Sequence, residues 1–286
     1  MKRISIVLPF FISLSISFWL FSGCASTRGR KTVLTPEERF ALAKAKFDKH
    51  DYLEAIDELS VITLQYAGST IADSAQLLLG EARYARGEYL LAAYEFEKLI
   101  RNMPSSSLVP YARYKLGMCY YELSPKPELD QTYTYKAIDE LQTFVEYYPT
   151  NELVPEAERR IHELNNKLAL KNLKIAELYM KMEDYKAALI YFDHILERYH
   201  DSDVADRAAK GKIEALIARR QYDAARQEVQ HFRERYPTSS LLPEVDKLNA
   251  QIDRELLQRN SAPSGQSAIK ANPLDKSFSP ANDEKP

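Results

Sequence analysis

Apolar residues along most of the chain recur at three- and four-residue intervals rather than in alternation, which is the spacing of one face of an α-helix. Five segments share a stricter frame. Each carries an alanine inside a charged amphipathic stretch: Ala55 in Asp51-Tyr52-Leu53-Glu54-Ala55, Ala92 in Glu88-Tyr89-Leu90-Leu91-Ala92, Ala137 in Tyr135-Lys136-Ala137-Ile138, Ala188 in Asp184-Tyr185-Lys186-Ala187-Ala188, and Ala225 in Gln221-Tyr222-Asp223-Ala224-Ala225. Each segment closes on an aromatic or apolar residue, Tyr66, Met103, Tyr148, Tyr199 or Tyr236, followed by Ala-Gly-Ser, Pro-Ser-Ser, Pro-Thr-Asn, His-Asp-Ser or Pro-Thr-Ser. The separation from alanine to closing residue is 11 in all five (55 to 66, 92 to 103, 137 to 148, 188 to 199, 225 to 236). That distance is about three helical turns, so both residues share a face of a helix that stops at the turn signal.

Upstream of each such helix the pattern predicts a second one. In four of the five a small residue recurs at the same place in it, Ala43, Gly80, Gly117 and Ala176, where a neighbouring helix can approach closely; Ile213 takes that place in the fifth. Helix–turn–helix units with small residues at two contact points resemble tetratricopeptide repeats. The expected fold class is therefore all-α, a tetratricopeptide-repeat solenoid of five helix–turn–helix units. The alanine-to-alanine intervals are 37, 45, 51 and 37. The 8 extra residues of the second interval fit a loop from Ser124 to Gln131 between the two helices of repeat three. The 14 extra residues of the third extend the first helix of repeat four, since residues 156 to 182 lack Gly and Pro and follow Pro155 at a first-turn position. Fourteen residues are close to four turns, which keeps the same face toward the stack. A last amphipathic stretch, Leu241 to Leu257, caps the open end of the stack, and residues 260–286, with four prolines, read as a disordered tail.

Composition narrows the function. With 39 Lys+Arg against 41 Asp+Glu and only 8 Gly, the chain lacks both the basic surface that nucleic acid needs and the glycine loops that cradle phosphates. The N-terminus is an address: Lys2 and Arg3 precede an apolar run from Ile4 to Phe21, which reads as a signal peptide over 1–23. An uncleaved membrane anchor over Ile4 to Ser22 is the competing reading, against which Pro9 and the five serines of that span stand. Ser22-Gly23-Cys24 resembles the lipobox of bacterial lipoproteins, with Phe21 in place of the usual Leu. That resemblance implies cleavage before Cys24 and lipidation of it, a linker over 24–34, and, with Ala25 next, an outer-membrane address on the periplasmic face. The repeats and cap then occupy 35–259.

The lipobox, the opening Leu34-Thr35-Pro36-Glu37-Glu38, the five repeats, the Asp130-Gln131-Thr132 insertion and the long helix feeding repeat four together resemble the BamD (YfiO-type) family of the β-barrel assembly machinery. The resemblance implies a lipoprotein scaffold and receptor for unfolded outer membrane protein precursors, docking through repeats four and five on the periplasmic domains of BamA, alongside other assembly lipoproteins. Arg207, Lys210 and Arg219 are the candidate docking residues. The tetratricopeptide register places Phe40, Lys44 and Phe47; Leu77, Glu81 and Tyr84; and Tyr111, Tyr114, Met118 and Tyr121 toward a peptide-binding groove. Such an aromatic concavity suits extended peptides carrying alternate aromatics. The competing reading packs Phe47, Tyr84 and Tyr121 between helices. A different lipidated adaptor, a type IV pilus pilotin or a cell-wall coordination factor, is the alternative function. No catalytic residue, cofactor or metal is implied. Cys119 sits on an apolar helix without a neighbouring base and reads as a small buried residue, the five histidines lack metal-ligand spacing and read as surface residues, and the charge run Ala157-Glu158-Arg159-Arg160 reads as a solvated face.

Overall fold

Thr35 opens the first helix with a reciprocal cap: its hydroxyl accepts from the Glu38 amide at 3.2 Å, its own amide donates to the Glu38 carboxylate at 2.9 Å, and Pro36 occupies the first turn. In this computed structural model, which describes residues 34–261, eleven helices follow one another. They are α1 (Pro36–Asp48), α2 (Tyr52–Gln65), α3 (Ala72–Ala85), α4 (Tyr89–Asn102), α5 (Val109–Leu123), α6 (Thr132–Tyr147), α7 (Val154–Lys181), α8 (Tyr185–Arg198), α9 (Ala205–Ala218), α10 (Tyr222–Arg235) and α11 (Leu242–Ser261). The leader, Cys24 and the tail beyond Ser261 lie outside the described residues. No strand occurs among the described residues, and none of their helices is long and apolar enough to cross a membrane. The fold is all-α, with five helical pairs of tetratricopeptide type. The helices group into two compact units, residues 34–112 and 113–261, with the division inside α5.

The repeated frame has a common geometry. All five closing residues are helix C-caps with φ between −124° and −132°, and each donates its amide to the carbonyl four residues back. Three residues further on stands Ser69, Ser106, Asn151, Ser202 or Ser239, whose amide donates to the carbonyl of the closing residue. The carbonyl of that Ser or Asn in turn accepts the amide three positions later, at Ala72, Val109, Val154, Ala205 and Leu242. Ser106 and Ser239 also donate their hydroxyls at 2.6 Å to Asp73 and Asp206, 33 residues earlier in each case. Within the hairpins, His50, Gly87, Glu183 and Arg220 adopt positive φ (65°, 75°, 59° and 58°), each five residues before its repeat alanine. Three of the four are therefore side-chain-bearing residues in a conformation that favours glycine.

Packing explains the small positions. A Cβ on Gly80 would stand 2.6 Å from the Phe96 ring, and one on Gly117 would stand 2.8 Å from Leu141. The facing residue lies four after the repeat alanine: Leu59, Phe96, Leu141, Phe192 and Val229, all but fully buried. Repeat five inverts the volumes, with Ile213 large and Val229 the smallest of the series, both fully buried in one cluster. The departure at Ile213 is thus compensated across the hairpin. Phe192 is instead accommodated by Gly211, whose added Cβ would meet its ring at 2.4 Å.

Candidate peptide groove and docking surfaces

In the first unit the register positions of α1 and α3 are half-open. Phe40 and Phe47 lean on the cluster formed by Ala43, Leu59, Ile62 and Leu79, and the Phe47 ring meets Tyr52 edge-on at 5.3 Å. Lys44 is exposed and pairs with Asp48 at 3.0 Å. Leu77, Glu81 and Tyr84 are half-buried, Tyr84 standing edge-on to Tyr89 at 5.2 Å, and Tyr111 is exposed. Phe40, Phe47, Leu77 and Tyr84 are each partly covered and partly in solvent.

Repeat three differs. Tyr114 and Met118 are only 8 % and 7 % exposed and form no open surface; the Tyr114 ring lies 5.6 Å from Phe144. Burial raises the Tyr114 hydroxyl pKa, with Glu156, Arg159 and Arg160 of α7 as the charges acting on it. The early turns of α7, the extension absent from other repeats, therefore lie against the repeat-three positions. Tyr121 is half-buried beside the same stretch: its hydroxyl donates to Glu163 at 2.6 Å and accepts from Arg160 at 2.9 Å, while the guanidinium lies 4.8 Å from the ring centroid. The Arg160 pKa is raised although desolvation opposes its charge, because hydrogen bonds to Tyr121 and Glu156 outweigh it. The hydrogen bond from Tyr121 lowers the Glu163 pKa against desolvation. This corrects the solvated-face reading of 157–160. Glu158 and Arg159 are exposed, but Arg160 is half-buried against an aromatic ring and Ala157 is fully buried, because the extension packs along α5 rather than standing free.

The same helix holds the repeat-three loop. Lys167 donates to the Ser124 hydroxyl at 2.7 Å, Lys171 to the Leu129 carbonyl at 2.7 Å, and Lys174 pairs with Glu128. Inside the loop, buried Gln131 donates to the Lys126 and Leu129 carbonyls at 2.9 Å each and accepts from buried Thr134 at 2.7 Å.

Residues 34–228 match the family model described as YfiO, outer membrane lipoprotein. The chain belongs to this family. Its relatives include the outer membrane protein assembly factor BamD of Caulobacter vibrioides, 27 % identical over 201 residues that cover 68 % of this chain and 66 % of the relative. The proteins of the same name from Rickettsia prowazekii (22 % identical, 77 % of this chain and 88 % of the relative) and Vibrio cholerae (22 %, 68 % and 86 %) are also similar. Solved tetratricopeptide structures with similarity include the TPR domain of P58(IPK), 16 % identical over 79 % of this chain and 67 % of that one at a TM-score of 0.40. The TPR2AB domain of yeast Sti1 is 15 % identical over 76 % and 98 % at 0.37. The repeat assignment stands on the five hairpins themselves.

In this YfiO family member the candidate docking residues of repeat five differ in availability. Arg207 is half exposed and bonded to Glu177 at 2.9 Å. Lys210 is held by Glu244 at 2.5 Å and Glu214 at 3.4 Å, the Glu244 bond raising its pKa. Arg219, the α9 C-cap, is exposed and makes no ion pair among the described residues. Sequence reading passed over a cleft of about 580 Å³ nearby, with Leu196, Ala209 and Phe232 among its apolar lining and Lys212, Glu228 and Arg235 among its charges. Lys212 bridges Asp193 and Glu228 at 2.9 Å each, and the Tyr236 hydroxyl is buried without a partner. Cys119 is fully buried. His50, His200 and His231 are exposed, but His194 is half-buried edge-on to Tyr199 at 5.6 Å, and burial lowers its pKa. No group of His, Cys, Asp and Glu among the described residues forms a metal site.

Proposed function

We propose that this chain is a lipoprotein subunit of the outer membrane β-barrel assembly machinery, anchored through Cys24 on the periplasmic face. It acts as scaffold and receptor for unfolded barrel precursors and docks on the periplasmic domains of BamA. The observation that carries this reading is the family match over residues 34–228, together with relatives named as assembly factors in three bacteria. The half-open aromatics of α1 and α3, with Tyr111, supply the receptor surface. Alternate side chains of an extended peptide lie about 6.6 Å apart on one face, a spacing that rows of half-buried rings can meet. Lys44 and Glu81 offer charges of both signs along the row. Arg207, Lys210 and Arg219 exchange their intrachain or solvent contacts for partner carboxylates on docking. The role is one of binding, with no catalytic residue.

The test is mild crosslinking in intact cells followed by detergent extraction through a C-terminal tag and mass spectrometry. The expected leading partner is a large barrel protein with periplasmic domains, crosslinked to repeats four and five. Recovery dominated by pilus secretins or cell-wall synthases, without such a barrel, overturns the assembly reading and transfers the chain to the adaptor class.

A further inference from the structure

The second helix of each repeat has a stripe directly opposite its buried alanine, at positions two before and two, five and nine after it. In repeat five this stripe is Asp223, Gln227, Gln230 and Glu234, all exposed. That is the expected composition for a helix face in water. The first unit departs from it. Leu53 and Leu64 on α2 are 58 % and 76 % exposed, and Leu90 and Tyr94 on α4, with neighbouring Leu91, are about half exposed. Leu53 and Leu90 occupy equivalent positions on the second helices of consecutive repeats, so the same outward face of both helices carries exposed apolar side chains among Asp57, Ser60, Glu97 and Arg101, as a band of mixed character.

The chain itself indicates what covers the band. Eleven residues, 25 to 35, separate Cys24 from Pro36, and fully extended they span at most about 40 Å. A lipidated Cys24 therefore holds the first unit close to the leaflet that carries it. The charges in and beside the band nearly balance, Glu54 paired with Lys46 and Glu97 with Arg101 at 4.0 Å, with Asp57 and Lys98 beside them, which suits a zwitterionic rather than an anionic surface. Leucine and tyrosine together place apolar bodies and a polar tip at the depth of the headgroups.

We propose that the outer face of α2 and α4 rests on the zwitterionic phospholipid surface that holds the lipid anchor, so that the first unit is membrane-seated and not merely tethered. This rests on the lipidation of Cys24. The mature chain would have no tryptophan, because the single one, Trp19, lies in the leader. A tryptophan introduced at an exposed position therefore reports alone. Leu90→Trp, Tyr94→Trp and, as the comparison from a more polar stripe, Ile190→Trp are expressed with the leader, purified as lipidated protein, and floated with phosphatidylcholine–phosphatidylethanolamine vesicles with or without brominated acyl chains. The expected result is flotation of all three, with emission of Leu90→Trp and Tyr94→Trp falling at least about twofold in brominated vesicles and Ile190→Trp little changed. Flotation without quenching at either 90 or 94, or equal quenching at 190, overturns the seated face while leaving the anchor standing. Failure to float overturns the anchor and the seated face together. Flotation without quenching in these protein-free vesicles leaves the band to a protein partner and overturns the lipid proposal.

Discussion

Replacing Gly80 by alanine adds one methyl group where the structure leaves no room for it. The new Cβ would lie 2.6 Å from Phe96 Cε1 and 2.9 Å from Cδ1 and Cζ, whereas carbon atoms settle at about 3.5–4.0 Å. Phe96 is fully buried, so its ring cannot swing into solvent to relieve the clash. Overpacking of this kind costs about 1–3 kcal/mol, and the better helix propensity of alanine returns about 1 kcal/mol. The expected net loss is about 0–2 kcal/mol, or up to several degrees in Tm. Phe96→Leu alone leaves a cavity and also destabilises, by about 1–2 kcal/mol. The double variant G80A/F96L recreates the pair that repeat one already uses, Ala43 facing Leu59, and should be more stable than the sum of the singles by at least about 1 kcal/mol. Urea unfolding of the mature chain followed by helical circular dichroism measures this, provided the m-value is unchanged across the four proteins. Additivity within about 0.3 kcal/mol, or stabilisation by Gly80→Ala alone, would refute the argument that the small positions are set by the facing side chain.

Three further outcomes follow from the turns and from burial. Glu183→Gly and Arg220→Gly should each stabilise by up to about 1 kcal/mol by relieving side-chain strain at positive φ, and Gly87→Ala should destabilise by about as much, all read as Tm shifts by calorimetry. Ser106→Ala should cost about 1–2 kcal/mol by removing the bond that lowers the Asp73 pKa. That bond's contribution is present above the ordinary Asp value and fades as pH falls through the lowered one, so the wild-type advantage over the variant should shrink in acid. His194 has its pKa lowered by burial, so the unfolded chain binds protons that the folded chain excludes. Stability should fall as pH drops below about 6.5, and His194→Gln should show a shallower fall in Tm between pH 7.5 and 5.5.

The architecture was readable because its signal is repeated five times: an alanine, three turns of helix and an aromatic or apolar cap recur at fixed distance, and the helices begin and end where those residues require. The third residue of every turn, Ser69, Ser106, Asn151, Ser202 or Ser239, was in view in the tripeptides after the closing residues, yet its role appears only when both of its backbone hydrogen bonds are seen. Ile213 looked like a break because volume was judged on one helix, and the compensating Val229 sits on the other. Tyr114 and Met118 illustrate the opposite limit. Their register and the length of α7 are both in the sequence, but the side on which a long helix lies down is decided by tertiary packing, and here that helix lies against repeat three. Arg160 follows the same rule: a charge in an alternating run is a surface residue until a neighbouring ring, in this case Tyr121, offers it a face.

The uniform turns also bear on how such a chain could have grown. Ser69 and Ser106 receive and donate the same backbone hydrogen bonds, 37 residues apart, so excising 70–106 would join Ser69 to Ser107 with the local turn chemistry intact. A duplication of the same length would be equally seamless. Gene rearrangements that cut at these serines therefore leave no scar in the backbone, and the chain can gain or lose a whole hairpin in a single event, while the unequal third and fourth repeats differ within their hairpins, in a loop and in a longer helix, and not at these turns.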